Sequence, residues 1–309
     1  MIQLIQGDCL IKSDKIESGS VDLILTDLPY GTIKGLYDNT EWDNIIDIGE
    51  IMNVCSRILR QNGTLLLFCQ EPFTTHLRTK SIPNILFKQK LIWEKDSCGN
   101  MQMAKSACVS FYEDILMFRR RDNPNDNNEA RNYFREQREL VKNIPYKKIN
   151  ELCFNSASNG GGIASNILTV DKKNWIFPNK ERYEALRKIG ICNKPFEEIE
   201  AINAKHKIKV NTTFNLWEGK KYKSNILKYK KDYDGHHPTQ KPVLLLEDLI
   251  KTFSNENDLV VDLTMGSGST GVAAKNTNRS FIGIEQDPNY FKIAEERINK
   301  QDLFTLDTK

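Results

Sequence analysis

An acid, a proline and an aromatic residue stand together at the end of a predicted strand, in Asp27-Leu28-Pro29-Tyr30. The exocyclic amino nitrogen of a nucleobase is a poor nucleophile because its lone pair is delocalised into the ring. The Asp27 carboxylate and the Leu28 carbonyl can accept the hydrogens of this nitrogen, which makes it more pyramidal and more reactive. Pro29 favours an extended Leu28, and Tyr30 offers a face for a base removed from its stack. A plain strand-ending turn capped by Asp27 is the alternative.

A glycine-rich turn stands late in the chain, where a strand ending at Asp262 runs into residues 264–271. Glycine lets the backbone approach a ligand closely, here at Gly266 and Gly268. The next strand ends at Glu285, about 20 residues on, where a carboxylate can accept from ribose hydroxyls. The glycine turn and Glu285 together predict a nucleoside cofactor. The three glycines also fit a dinucleotide turn, so this motif alone does not exclude nicotinamide or flavin.

Both groups of residues lie in segments where strand patterns alternate with helix patterns, which is typical of a parallel α/β sheet. The predicted strands are 21–26, 63–68, 91–93, 114–118, 258–263 and 280–285, and the predicted helices include 45–59 and 243–253. Between the two segments the composition becomes polar and charged. We expect the chain to contain two sheet-forming halves on either side of one insert.

The insert carries helix patterns at 146–154 and 180–189, which predict a small helical module with a weak resemblance to a helix-turn-helix. Residues 122–128 are expected to form an exposed loop, and glycines 160–162 a flexible joint. Basic clusters at 119–121, 147–148, 172–173 and 220–231 lie in or beside it. They suit phosphate binding, and solvated surface lysines are the alternative.

Composition excludes several classes of protein. The chain has 309 residues, 39% of them hydrophobic, and a formal net charge of +3. It shows neither a bilayer-spanning apolar stretch nor a signal segment, so we expect a cytoplasmic protein without a membrane partner. Seven cysteines without a Cys-x-x-Cys pair indicate reduced packing thiols. His236 and His237 lack further ligands at metal-binding spacing, so no metal is expected. The four tryptophans are expected in the core.

The order of the motifs resembles that of the β class of DNA amino-methyltransferases. Asp27-Leu28-Pro29-Tyr30 comes early, an insert follows, and residues 237–242 and 262–271 come late. The resemblance covers roughly 1–120 and 235–300. It implies a doubly wound, mostly parallel, seven-stranded Rossmann-like sheet whose last strands form an antiparallel hairpin. It assigns 1–120 to the catalytic half, 121–234 to an inserted, largely helical target-recognition region, 235–300 to the cofactor half and 301–309 to a tail.

The same resemblance implies the cofactor and the site. The cofactor would be S-adenosylmethionine, and Asp27, Leu28, Pro29 and Tyr30 would be catalytic. The residues implied to bind the cofactor are Asp8, Thr239, Lys241, Asp262, Gly266, Gly268 and Glu285. Asp8 would contact the adenine of the cofactor, and a surface aspartate is the alternative. Thr239 and Lys241 would lie at the cofactor end of the segment before the glycine turn.

The target atom is predicted from the first residue of the tetrapeptide. In this family an acid there goes mostly with adenine N6, and serine with cytosine N4. Asp27 therefore favours adenine, with cytosine as the alternative. Leu28 replaces the usual proline, which keeps the carbonyl but loosens φ. Enzymes acting on RNA or protein glutamine usually carry asparagine at position 27, and a silent DNA-recognition subunit would lack Asp27, Tyr30 or the glycine turn.

The partner implied by the resemblance is double-stranded DNA, with lysine and arginine on phosphates and a few polar side chains reading bases. A cognate restriction endonuclease is a further expected partner if the enzyme serves restriction-modification. Viral and gene-regulatory roles stay open, and so does the recognition sequence. The family resemblance allows a homodimer.

Overall fold

The computed structural model describes residues 1–29, 46–80, 84–99, 104–121, 129–156, 162–170, 175–210, 212–216, 219, 221–233 and 240–300. The chain divides into two compact units, residues 1–121 with 212–309 and residues 122–211. The second unit therefore ends at 211 rather than at the predicted 234. Residues 226–228 explain the difference, because they pair with a strand of the first unit.

The first unit is built on one mixed sheet of eight strands with helices on both faces. The strands are β1 (Ile2–Gln6), β2 (Val21–Asp27), β3 (Leu59–Cys69), β4 (Ile85–Gly99), β5 (Ser110–Arg120), β6 (Ile226–Lys228), β7 (Leu259–Asp262) and β8 (Ser280–Glu285). The helices of this unit are α1 (Cys9–Lys12), α2 (Ile48–Ile58), α3 (Phe73–Thr79), α9 (Val243–Phe253), α10 (Ser269–Asn276) and α11 (Pro288–Lys300), and a short 3-10 turn spans Ser13–Lys15.

The strand order is β1-β8-β7-β2-β3-β5-β4-β6. Neighbours pair in parallel, except that β5 is antiparallel to both β3 and β4. The antiparallel hairpin is β4–β5, in the middle of the chain, whereas the family resemblance implied one formed by the last strands, β7 and β8, which pair in parallel. The sheet has eight strands instead of the predicted seven, because β6 adds a three-residue edge strand beside β4. The predicted α/β, mostly parallel class is confirmed.

Residues 23–25 of β2 alternate between the two faces of the sheet, and both faces are covered. Ile24 packs in a core with residues of α2 and α3, whereas Leu23 and Leu25 pack in a core with α9, α10 and α11. A strand buried on both faces reads as a continuous apolar run, which is why 21–26 was recognisable from sequence. The sheet is doubly wound, as predicted.

The second unit is a helical module with an aromatic core. Its helices are α4 (Glu129–Leu140), α5 (Tyr146–Phe154), α6 (Gly162–Leu168), α7 (Lys180–Lys188) and α8 (Phe196–Val210). Tyr133, Phe134, Tyr183 and Phe196 lie in its buried cluster. The predicted helix-turn-helix is wrong for α5 and α7, because α6 lies between them in the chain. The predicted loop at 122–128 and most of the glycine joint lie outside the described residues.

Other sequence predictions concern single residue types. All seven cysteines are free thiols. Trp93 and Trp175 pack in or against the two units' cores, and Trp42 and Trp217 lie outside the described residues.

Within the described ranges, no group of His, Cys, Asp and Glu is arranged to hold a metal ion. His236 and His237 are not among those residues. None of the described helices has the length and apolar character needed to cross a bilayer.

Candidate active site

The predicted site residues gather at one edge of the sheet because parallel strands end on the same side. Asp27 ends β2, Asp262 ends β7 and Glu285 ends β8, while Asp8 follows β1 by two residues. Ligands of open α/β sheets bind outside the carboxyl ends of the strands. The strand topology therefore brings together residues that are more than 200 positions apart in the chain.

The glycine turn, residues 264–271, is held by backbone groups. The Gly266 N–H donates to Glu285 Oε2 at 2.8 Å, and the Met265 N–H donates to the Ile284 carbonyl at 2.9 Å. The second Glu285 oxygen accepts from the Asp287 N–H at 2.8 Å. Burial raises the pKa of Glu285, although these N–H donors oppose the shift. Glu285 and Gly266 are thus in direct contact.

Gly268 is required at its position for two reasons. Its φ is +82°, and an added Cβ would lie 2.9 Å from the Cβ of Ala294 on α11. An L side chain pays about 1–2 kcal/mol for the left-handed conformation alone. The same helix supports the turn through Arg297, which donates to the Ser267 carbonyl at 2.7 Å. The turn therefore lies close against α11 with no room for a side chain at 268.

Asp262 supports the glycine turn from beneath it. The residue is buried, and its carboxylate accepts from Thr270 Oγ1 at 2.6 Å, Thr26 Oγ1 at 2.8 Å and the Thr264 N–H at 3.1 Å. Burial raises the pKa of this carboxyl to about 6, against the opposing effect of its donors. Sequence reasoning placed Asp262 among the cofactor ligands. Its three bonds in the structure go to the protein itself.

A pair of threonines joins the glycine turn to the predicted catalytic tetrapeptide. Thr26 Oγ1 lies 2.8 Å from Thr264 Oγ1, which also donates to the Asp27 carbonyl at 3.0 Å. Thr264 of the turn is therefore hydrogen-bonded directly to the backbone of Asp27, the predicted catalytic acid. Neither threonine was identified from the sequence, because a hydroxyl residue beside a motif carries no distinctive signal.

The catalytic corner consists of Asp27, Lys241, Glu113 and Lys95. Lys241 Nζ donates to Asp27 Oδ2 at 2.5 Å and lies 3.3 Å from Glu113 Oε2. Lys95 Nζ donates to the other oxygen of the same carboxylate, Glu113 Oε1, at 3.1 Å. Positive and negative groups therefore alternate along the corner.

The charges of the catalytic corner are largely shielded from water. The side chains of Lys95, Lys241, Glu113 and Asp27 are 2%, 8%, 11% and 23% exposed. Burial by itself favours a neutral amine, but the carboxylates of Asp27 and Glu113 outweigh it and raise the pKa of Lys241 above its ordinary value. The Lys241 ammonium also lies 5.2 Å from the ring centre of Phe68. We therefore treat Lys241 as a fixed cation.

The structure locates the predicted residues in different ways. Leu28 is buried in the core, and Pro29 is half-buried. Asp8 caps α1 by accepting from the Leu10 N–H at 2.8 Å. Lys241, predicted at the cofactor end of the segment before the glycine turn, contacts Asp27, the predicted catalytic acid. Tyr30 and Thr239 lie outside the described residues.

Sequence reasoning missed Glu113 and Lys95. A signal was available, because residues two apart on a strand share a face. Lys95 follows the buried Trp93 by two positions, and Glu113 precedes the buried Ile115 by two. The strand pattern thus directed both charges to a buried face, and charges there need partners.

Comparisons with known proteins agree with this geometry. A family model described as DNA methylase, of the N6 and N4 type, matches residues 21–296. DNA adenine methyltransferase YhdJ of Escherichia coli K12 is 27% identical over 300 residues, which cover 96% of this chain and 82% of that protein. Type II methyltransferase M1.MboII of Moraxella bovis is 27% identical over 308 residues, with 96% of each chain covered.

One solved structure extends the similarity to the fold. The crystal structure of the M1.HpyAVI–SAM complex matches with a TM-score of 0.53 at 21% identity. The match covers 97% of this chain and 100% of that one. At this level of identity the likeness concerns the fold of the sheet and its helices.

Proposed function

This chain belongs to the N6/N4 family of DNA methylases, and we propose that it transfers a methyl group from S-adenosylmethionine to N6 of adenine in double-stranded DNA. The observation that carries the proposal is the contact between its two predicted motifs. Thr264 of the glycine turn donates to the carbonyl of Asp27, whose carboxylate is held by Lys241. A cofactor over the turn and a base at Asp27 would therefore be neighbours.

The described residues fit the proposed cofactor. Gly266 and Gly268 both have positive φ, a conformation that glycine adopts without strain. Glu285 ends the next strand and contacts the turn, which supports the proposal that its carboxylate would accept from ribose hydroxyls. Asp8 lies on the neighbouring strand end, where its carboxylate would face the adenine. Asp262 would act from below by holding the turn.

Residues of the catalytic corner would act on the target base. When bound, S-adenosylmethionine supplies an electrophilic methyl group whose bond to sulfur breaks as the nitrogen lone pair bonds to carbon. The Asp27 carboxylate and the Leu28 carbonyl would accept the hydrogens of the amino group, and the nitrogen would pass its surplus proton to Asp27. Lys241 keeps that carboxylate oriented. Tyr30 and Thr239 keep their predicted roles as the base-stacking ring and a cofactor-end residue.

Adenine is favoured over cytosine by the acid at position 27 and by the name of the E. coli relative. The family includes enzymes of both types, so N4 of cytosine is the second candidate. RNA, a protein side chain and a silent recognition subunit rank below these two. The helical unit would supply target recognition, because it interrupts the sheet unit at the position where the family places that function.

Further partners follow from the proposed substrate. A cognate endonuclease is expected because one relative is named as a type II methyltransferase. A homodimer stays a prediction of the family resemblance. A DNA substrate is consistent with the predicted cytoplasmic location.

The test is methyl transfer from labelled S-adenosylmethionine to mixed-sequence double-stranded DNA, followed by nucleoside analysis. We expect N6-methyladenine from the parent protein and a loss of about 1,000-fold in kcat for Asp27→Ala, because one preorganised polar group is worth that much in a transition state. Asp27→Ala should still bind the cofactor, which controls for folding. N4-methylcytosine would overturn only the base assignment. Cofactor binding without DNA methylation would overturn the proposal.

A further inference from the structure

We propose that Glu113, itself anchored by Lys95, is a positioning residue for methyl transfer, which divides the charge of Lys241 between two carboxylates and so keeps Asp27 a strong hydrogen-bond acceptor. The inference rests on the proposed function of Asp27. It concerns residues of the β4–β5 hairpin that none of the sequence motifs includes.

Glu113 reaches the catalytic edge because of strand direction. β5 is antiparallel to its neighbours, so its first residues lie at the edge where the parallel strands end. Glu113 pairs in register with Trp93 on β4, and Lys95 lies two residues further along the same face. The hairpin thus presents one anion and one cation to Lys241, which precedes α9 and lies beside the end of β2.

The geometry divides the contacts of Glu113 between two lysines. Its Oε1 accepts from Lys95 at 3.1 Å, and its Oε2 lies 3.3 Å from Lys241. Lys95 therefore fixes the carboxylate of Glu113 in the orientation that reaches Lys241. The pKa of Glu113 is lowered: burial would raise it, but the two ammonium groups outweigh burial. Glu113 is thus held as an anion.

Burial strengthens the interactions of Lys241 with both carboxylates. An ion pair shielded from water interacts more strongly than an exposed one, and removal of one partner leaves the other uncompensated. Lys241 bonded to Asp27 alone would withdraw more charge from the oxygens that must accept from the substrate amine. Glu113 places a second carboxylate beside the same cation, with its Oε2 at 3.3 Å from Lys241 Nζ. The pair acts on the reaction through Lys241 and does not need to touch the substrate.

An adjacent ion pair provides a matched control. Glu94 Oε1 accepts from Lys228 at 3.1 Å, the same distance as the Glu113–Lys95 bond, and it lies on the same strand as Lys95. These side chains are 46% and 74% exposed. Exposed pairs contribute little to stability. Glu94→Gln should therefore leave stability and catalysis unchanged.

Glu113→Gln should lower kcat by about 10- to 100-fold, the usual effect of removing a group that orients an active-site residue. KM for DNA and for the cofactor should change less than about threefold, because neither ligand is bound by Glu113. The variant also leaves Lys95 buried without its carboxylate, so its melting temperature should fall.

The double variant Lys95→Met/Glu113→Gln separates positioning from folding. It removes one positive and one negative charge, so the corner keeps its charge balance and the melting temperature should recover most of its loss. Our proposal requires kcat to stay low in this variant. Recovery of kcat together with the melting temperature would assign Glu113 a purely structural role and would overturn the inference.

A second readout does not depend on methylation. Nitrogen-15 NMR of lysine ammonium groups should show a slowly exchanging Lys241 signal, identified by its loss in Lys241→Met. The signal should shift or broaden in Glu113→Gln and stay unchanged in Glu94→Gln. A Lys241 signal that is absent from the parent, or unaffected by Glu113→Gln, would overturn the inference. A parent protein inactive on DNA would instead refute the proposed function, and the NMR result would still decide the contact.

Discussion

The glycine turn and the catalytic corner lie at the same edge of the sheet but are held in different ways. The turn depends on backbone hydrogen bonds, positive φ angles and close contact with α11. The corner depends on four charged side chains that alternate in sign and are mostly buried. The turn should therefore be sensitive to added volume, whereas the corner should be sensitive to a change of charge.

This difference matches what each region is proposed to do. A cofactor with defined groups requires a fixed surface, which a backbone provides without side-chain rotamers. A reacting amino group requires a hydrogen-bond acceptor, and neighbouring charges set how strongly that acceptor binds the hydrogens. Asp262, beneath the turn, departs from this pattern, because it is a buried carboxyl that accepts from two threonine hydroxyls and one backbone N–H.

The largest effect that would sharpen the comparison is expected from Gly268→Ala. The methyl group adds about 1–2 kcal/mol of backbone strain at φ +82° and about 1–3 kcal/mol of overpacking against Ala294. We expect a loss of about 4 kcal/mol in the free energy of unfolding, measured by urea denaturation, together with loss of cofactor binding.

Gly190→Ala is the control for Gly268→Ala. Gly190 has the same φ of +82°, but an added Cβ there would meet no atom within 4 Å. Gly190→Ala should therefore lower the free energy of unfolding by only about 1 kcal/mol, the cost of the backbone strain alone. Equal losses in the two variants would show that packing on α11 is not what restricts the turn.

The next effect concerns Asp262 and pH. Its folded pKa of about 6 lies above the ordinary value of 3.8, so the folded state holds a proton that the unfolded state has released. The stability from this group is complete below pH 4 and is lost as pH rises through 6. Relative to Asp262→Asn, the parent should lose about 2 kcal/mol in the free energy of unfolding between pH 4 and pH 7. Parallel pH curves for the two proteins would contradict this reading.

A smaller effect tests the link between the two regions. Thr264→Val keeps the shape of the side chain but removes the donor to the Asp27 carbonyl. We expect a loss of about 1 kcal/mol in stability and a fall in kcat of less than about tenfold. Thr277→Val is the control, since Thr277 Oγ1 is buried at the C-terminal end of α10 and donates to the Ala273 carbonyl of that helix. An equal fall in kcat in the control would break the proposed link.

Much of the fold followed from local patterns in the sequence. The helix 243–253 and the strand 280–285 have the predicted bounds, because each carries a strong apolar period of its own type. β1 and β6 were not predicted. β6 has only three residues, and β1 is a partly exposed edge strand, so neither carries enough pattern to be recognised.

Parts of the site were also readable in advance. Asp27 and the glycine turn were predicted because each lies at the end of a predicted strand, and ligands of open α/β sheets bind outside the carboxyl ends of the strands. The partner of Lys241 was not readable, since 214 positions separate it from Asp27. Contacts between side chains so far apart depend on strand order, which no local pattern contains.

The sequence by itself thus determined the class of fold, the residues that could take part in a reaction and the family to which the chain belongs. Only the tertiary structure decided which charges lie together. The antiparallel direction of β5 places Glu113 at the predicted catalytic edge. Because the site is buried, an unpaired charge there would be destabilising. The physical reason is that residue types and spacing are local properties. The energy of a charge depends on its neighbours in space and on its exposure to water.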